Sequence, residues 1–120
     1  MRDPTRGGIA TTLNEFAKSS GYGFVIEETK IPVKDQVKAC SEILGIDPLY
    51  IANEGKLVAI VKEGMENEII HLMQIHDRGK DACIIGEVVD EYNGLVAMKT
   101  GLGVKRIIDM PVGEQLPRIC

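Results

Sequence analysis

Glycine cuts this chain into short pieces, and that punctuation limits what it can fold into. Breaks fall at Ser19-Ser20-Gly21, Gly45, Asn53-Glu54-Gly55, Gly79, Asn93-Gly94 and Gly101-Leu102-Gly103. Each piece between them has room for one short helix or a pair of short strands, and no apolar run approaches the roughly 20 residues that span a bilayer. Apolar spacing then says which element each piece forms. Ile9, Leu13, Phe16 and Ala17 recur at i, i+4, i+7 and i+8, which predicts a helix with one buried face after Arg6-Gly7-Gly8. Gly23-Phe24-Val25-Ile26-Glu27 reads as a strand. A second helix is expected after Pro32, with Asp35 as an early acid and Gly45 as its stop. Asp47-Pro48 then imposes a turn or extended geometry. Tyr50-Ile51-Ala52 and the buried strand Leu57-Val58-Ala59-Ile60-Val61 make a candidate hairpin around Asn53-Glu54-Gly55. Ile69, Ile70, Met73 and His76 give a third helix over residues 66–77. Residues 82–90 and 95–99 flank Glu91-Tyr92-Asn93-Gly94, whose Asn-Gly predicts a second hairpin. Gly101-Leu102-Gly103 reads as a turn or bulge, and residues 104–109 as a last strand.

This order gives an α+β fold, a mixed or antiparallel sheet with helices on one face. The 120 residues are enough for one domain with its own core. That domain is expected over residues 1–110, with 111–120 as a flexible tail. The net charge is −4, and no basic run exceeds Lys105-Arg106, so nothing attracts a phosphate backbone and nucleic acid is excluded as a partner. Met1-Arg2-Asp3-Pro4 has no signal-peptide apolar region, and no segment is membrane-spanning, which points to the cytoplasm. Cys40, Cys83 and Cys120 form neither a CxxC nor a cluster with His71 or His76, so no zinc site and no disulfide framework are expected. Cys40 and Cys83 sit in apolar patterns and read as small core residues. His71 and His76 lie five apart on a helix and do not share a face as metal ligands; His76 reads as half-buried packing and His71 as solvent-facing.

Three places carry chemistry. The first is Asp3-Pro4-Thr5-Arg6-Gly7-Gly8. Adjacent glycines allow close approach of a ligand, a helix N-terminus favours anions, and Thr5 and Arg6 add a hydroxyl and a guanidinium for phosphate oxygens. Asp3 can hold Mg²⁺, or Asp3 or Thr5 can simply cap the helix. The spacing matches neither GxxxxGK[ST] nor GxGxxG. The second place is Glu54, in a turn where a carboxylate either projects into a cleft as a general base or is a solvated turn residue. The third is Pro117-Arg118-Ile119-Cys120. A thiol on the last residue also carries the terminal carboxylate, which is costly to desolvate, so this cysteine is placed to be reached. From Pro111 the tail extends at most roughly 30 Å, at about 3.3 to 3.6 Å per residue, so the thiol can travel as a carrier arm. An unperturbed thiol is only a few per cent thiolate at neutral pH, and the adjacent carboxylate lowers that fraction, offset in part by Arg118.

Asp3-Pro4-Thr5-Arg6-Gly7-Gly8 with Ala10, Leu13, Asn14 and Glu15, then Asn53-Glu54-Gly55, then the terminal Pro-Arg-x-Cys, resemble the HypE family of hydrogenase maturation proteins. The glycine loop is shared loosely across the aminoimidazole ribonucleotide synthetase superfamily, whereas the terminal Pro-Arg-x-Cys belongs to HypE. The resemblance implies the C-terminal domain of a carbamoyl dehydratase whose N-terminal ATP-binding domain is absent from this chain. It further implies that Cys120 receives a carbamoyl group from a HypF-like carbamoyltransferase. ATP then phosphorylates the carbamoyl oxygen, a base deprotonates its nitrogen, and phosphate leaves to give a thiocyanate. The cyano group passes to iron on the HypC–HypD complex, for the [NiFe] hydrogenase site. ATP and Mg²⁺ are the implied cofactors, bound largely by the N-terminal domain, and a homodimer is implied for the full-length protein. Asp3, Thr5, Arg6, Gly7 and Gly8 would serve the phosphates, and Glu54 would be the base. The alternative is a non-catalytic carrier or docking module that only presents Cys120 to partners. A redox thiol protein fits less well, because no resolving cysteine lies nearby in sequence.

Overall fold

The first helix, α1 (Gly8–Ser20), forms where the apolar spacing predicts it, but its buried face is rotated from the apolar one. Leu13 and Ala17 are buried as expected, whereas Ile9 and Phe16 are half-buried, and Ala10, Thr12 and Asn14 are buried instead. Hydrophobicity alone could not find the last two. Thr12 donates to the Gly8 carbonyl one turn back (3.3 Å), and Asn14 donates to Ala10 (2.8 Å), so both bury their polar atoms paired.

In a computed structural model, which describes residues 8–50 and 57–109, α1 leads into β1 (Gly23–Glu27). Two helices follow, α2 (Asp35–Leu44) and α3 (Glu66–Ile75), then β2 (Gly86–Val89), β3 (Val96–Lys99) and β4 (Lys105–Ile107). The four strands form one mixed sheet in the order β2-β1-β3-β4. β1 is antiparallel to β2 and parallel to β3, and β3 is antiparallel to β4. Phe24 and Ile26 of β1 lie opposite Val96 and Met98 of β3 in register, and all four are buried. Ala10, Leu13 and Ala17 of α1 belong to the same core, closed by Leu49 and Ile108. Small residues at two of the three helix positions let α1 lie close to the strands, while Phe16 stacks on Phe24 at 6.3 Å between ring centres. Each such large apolar side chain contributes about 1.5 to 3 kcal/mol by leaving water.

The α+β class and mixed sheet hold, but the pairing differs from the expected hairpins. β2 and β3 are not partners, because β1 lies between them. The link from β2 to β3 instead crosses the start of β1. There the Gly94 amide donates to the Tyr22 carbonyl (3.0 Å), and a Cβ on Gly23 would collide with the Glu91 carbonyl. The Asn-Gly signal marked a real turn without fixing which strands it joins. The hairpin that does form is β3–β4, across Thr100 to Val104, where Gly101-Leu102-Gly103 is the expected turn. Residues 82–85 are not strand, and β2 begins only at Gly86.

Residues 57–61 form no strand beyond a single bridge at Val58, with Leu57 and Ile60 exposed, and the rest of that expected hairpin, residues 51–56, lies outside the described residues. Helix α2 ends where Gly45 takes a left-handed conformation (φ 69°) and its neighbour Ile46 donates back to Ser41. Its only buried residue is Ser41, which explains why Cys40 is exposed rather than core. Cys83 is exposed too, since its segment never enters the sheet. His71 faces solvent as expected. His76 is also exposed rather than packed, and its Nδ1 caps the turn after α3 by accepting from the Arg78 amide (3.3 Å).

Candidate functional site

Of the residues singled out for chemistry, only Gly8 is among the described ones. Asp3, Thr5, Arg6, Gly7, Glu54 and Cys120 lie outside them. The structure does describe where each of their segments joins the fold. Residues 1–7 join at Gly8, residues 51–56 follow Tyr50, and residues 110–120 follow Asp109.

Gly8 opens α1 in the left-handed region (φ 66°), a conformation glycine adopts without steric cost, and it is buried. The first turn of α1 carries no acidic residue. Its first amides have no carbonyl within the helix to pair with, and the Thr11 hydroxyl in the same turn is buried without a partner among the described residues. Glycine backbone, such amides and a hydroxyl suit an anion such as a nucleotide phosphate.

Tyr50 ends a short 3-10 turn, Pro48–Tyr50, that packs against α1 through buried Leu49. Asp47 builds this turn with both carboxylate oxygens. Oδ1 accepts from the Leu49 amide (3.0 Å), and Oδ2 accepts from Arg106 Nη2 of β4 (3.0 Å). The turn is thus tied to the strand that leads to the tail. Tyr50 completes the link, its phenol donating to the Asp109 carbonyl at 2.8 Å. Burial pushes that phenol above its ordinary ionisation range, with Asp47 and Asp109 adding to the shift and Arg106 opposing it.

Asn14 makes the matching connection to α1. Its Nδ2 donates to Ala10 in the second residue pair of the helix and also to the Ile108 carbonyl (2.9 Å), while the Ile108 amide donates to Val96 of β3 (2.8 Å). The chain therefore enters residue 110 from a fixed point beside the early turns of α1 and beside Tyr50. Three segments far apart in sequence thus join the fold at α1 or at residues bonded to or packed against it.

Sequence reasoning missed Tyr50 and Asp47, and noted Asn14 only as part of a pattern. A tyrosine or aspartate near a proline turn gives no signal of a partner some 60 positions away. None of the described helices is long and apolar enough to cross a membrane, and no cluster of metal-ligating side chains occurs among the described residues.

Residues 1–99 match the family described as AIR synthase related protein, C-terminal domain. The chain belongs to that family. Within the AIR synthase related C-terminal domains, it is 52% identical over 120 residues to carbamoyl dehydratase HypE of Cupriavidus necator, spanning all of this chain but only 34% of that protein. Among solved structures, it resembles the hydrogenase maturation protein HypE in complex with ATP, with a TM-score of 0.91 and 43% identity over 99% of this chain and 37% of that one. It is also similar to a chain of a HypE–HypF complex, with a TM-score of 0.87 and 49% identity over 92% of this chain and 35% of the other. The chain spans about a third of the length of these relatives.

Proposed function

We propose that this chain is the C-terminal domain of a HypE-like carbamoyl dehydratase, and that Cys120 carries the carbamoyl group it dehydrates. The observation that supports this reading is the junction of Tyr50 and Asp109 with α1, the helix that Gly8 opens, bridged by Asn14 and the Tyr50 phenol. Converting a thiocarbamate to a thiocyanate requires the carbamoyl oxygen to depart and the nitrogen to lose its protons. A phosphate-binding loop and a base must therefore reach one thiol. The segments bearing Asp3 to Gly8, Glu54 and Cys120 start at α1 or at residues joined to it, and 11 residues beyond Asp109 allow a reach of roughly 36 to 40 Å.

In this reading Gly7, Gly8 and the first amides of α1 bind phosphate oxygens, with Thr5 and Arg6 adding donors. Asp3 is positioned in sequence to serve Mg²⁺ at the same loop. ATP, when bound, turns the carbamoyl oxygen into a leaving phosphate. Glu54 accepts protons from the carbamoyl nitrogen. The Cys120 sulfur remains bonded to carbon throughout, so the cysteine acts as a tethered substrate. The body of the domain covers residues 1–110 and the carrier segment 111–120, while a separate N-terminal domain completes the nucleotide site. A HypF-like carbamoyltransferase loads the thiol, an iron-bearing HypC–HypD complex takes the cyano group, and the full-length protein works as a cytoplasmic homodimer.

The test is the intact mass of the full-length protein after incubation with the carbamoyltransferase, carbamoyl phosphate and ATP. Cys120 is expected to gain a carbamoyl group and then to lose one water. Substituting Glu54 or Arg6 should stop the second change and leave the first. If both variants still dehydrate at the wild-type rate, the domain only carries the thiol.

A further inference from the structure

The hydrogen bonds of Tyr50 and Asn14 do more than close the core. Tyr50 immediately precedes the segment bearing Glu54, and its phenol holds the residue that immediately precedes the segment bearing Cys120. Asn14, on the helix that follows the glycine loop, holds the neighbouring carbonyl, Ile108. Asp47 sets the tyrosine by bracing the Pro48–Tyr50 turn against Arg106 of β4. Two donors thus grip two consecutive carbonyls at the point where the chain leaves the sheet. A grip on the carbonyls of adjacent peptide units fixes direction as well as position, because each unit is planar and two held units set the dihedrals of Asp109 between them.

We propose that Tyr50 and Asn14 are positioning residues for the dehydration, which together fix where and in which direction the Cys120 segment leaves the fold relative to the Glu54 segment. The inference rests on the function proposed above. Tether length is not what they control. Freeing Asp109 lengthens the arm beyond it by one residue in about twelve, and effective concentration falls only as about the −3/2 power of length, a change of roughly a tenth. What the phenol supplies is direct coupling, because without it the Pro48–Tyr50 turn is joined to the tail's strand only through Asp47 and Arg106, and nothing among the described residues holds the Asp109 carbonyl itself. One net hydrogen bond corresponds to about threefold to tenfold in an equilibrium or a rate. The phenol also suits a permanent brace. Burial pushes its ionisation to higher pH, so it stays a donor throughout the neutral range.

Tyr50→Phe in the full-length protein removes this donor and keeps the ring. Two measurements are needed. Amide exchange of Ile108, whose N–H bonds to Val96, is expected to speed up about threefold to tenfold, while that of Phe24 in the central strand stays unchanged. The turnover number for converting carbamoylated Cys120 is expected to fall by a similar factor with the KM for ATP unchanged. Unaltered Ile108 exchange would overturn the brace. Faster exchange with an unaltered turnover number would overturn its role in positioning, as would a rise in the KM for ATP without a loss of turnover. If wild-type protein carries out no dehydration, the function proposed above fails instead, and the exchange measurement alone decides whether the brace exists.

Discussion

Asn14 is almost fully buried, with its amide nitrogen shared between a carbonyl of its own helix and one at the end of the sheet. Burying a side-chain amide is favourable only when it is paired, so this residue is committed to its two acceptors. Asn14→Ala is expected to lower stability by about 1 to 3 kcal/mol, the cost of leaving a buried carbonyl without its donor, measured by urea unfolding. Tyr50 makes a prediction in pH. Its phenol ionises at higher pH in the folded chain than in the unfolded one, so the neutral form is favoured by folding. That contribution is fully present below the ordinary phenol value of about 10 and is lost as pH rises through the folded value. Urea unfolding above pH 10 should show this decline in the native protein and a smaller one in Tyr50→Phe. The cysteines were less legible. Cys40 and Cys83 lie among apolar neighbours in sequence, but exposure depends on whether their elements are packed on the core, and theirs are not. Burial and the nearby Asp81 still push the Cys83 thiol up, so exposure does not make it reactive.

Among the elements, helices were easier to read than strand pairings. α1, α2 and α3 each end within a few residues of the expected glycine or turn, because caps and apolar spacing are local properties. Strand partners are not local. The run from Gly86 to Lys99 looks like a hairpin, with Asn93-Gly94 between its arms, yet β1 separates those arms. Gly23 is the residue that permits this arrangement, since the Glu91 carbonyl occupies the space of a side chain there. Gly23→Ala should therefore cost at least about 2 kcal/mol through forced backbone movement, read as a lowered midpoint in urea. The same substitution would be nearly neutral in an open hairpin arm, so the measurement tests the strand order directly.

For the molecule as a whole, the arrangement points to a domain that completes a site rather than one that contains it. The chain spans about a third of its relatives' length, and among the described residues the phosphate-binding role proposed above rests on a single helix end. Incubated alone with ATP and Mg²⁺, it is expected to release phosphate at no more than the background rate. Release well above background would sink the division of labour proposed above.

The α+β class, the three helices, the β3–β4 turn and the family can be read from the residues alone, because these follow from short-range spacing and from a few adjoining residues. It also marked Asp3 to Gly8, Glu54 and Cys120 as the chemically capable groups. That their segments start at α1 or at residues bonded to or packed against it emerges only in the folded chain. That depends on Asn14 reaching a carbonyl 94 positions away and Tyr50 reaching one 59 positions away. Contacts of such range leave no periodicity in the chain, since they are set by how the sheet is ordered and where α1 lies upon it.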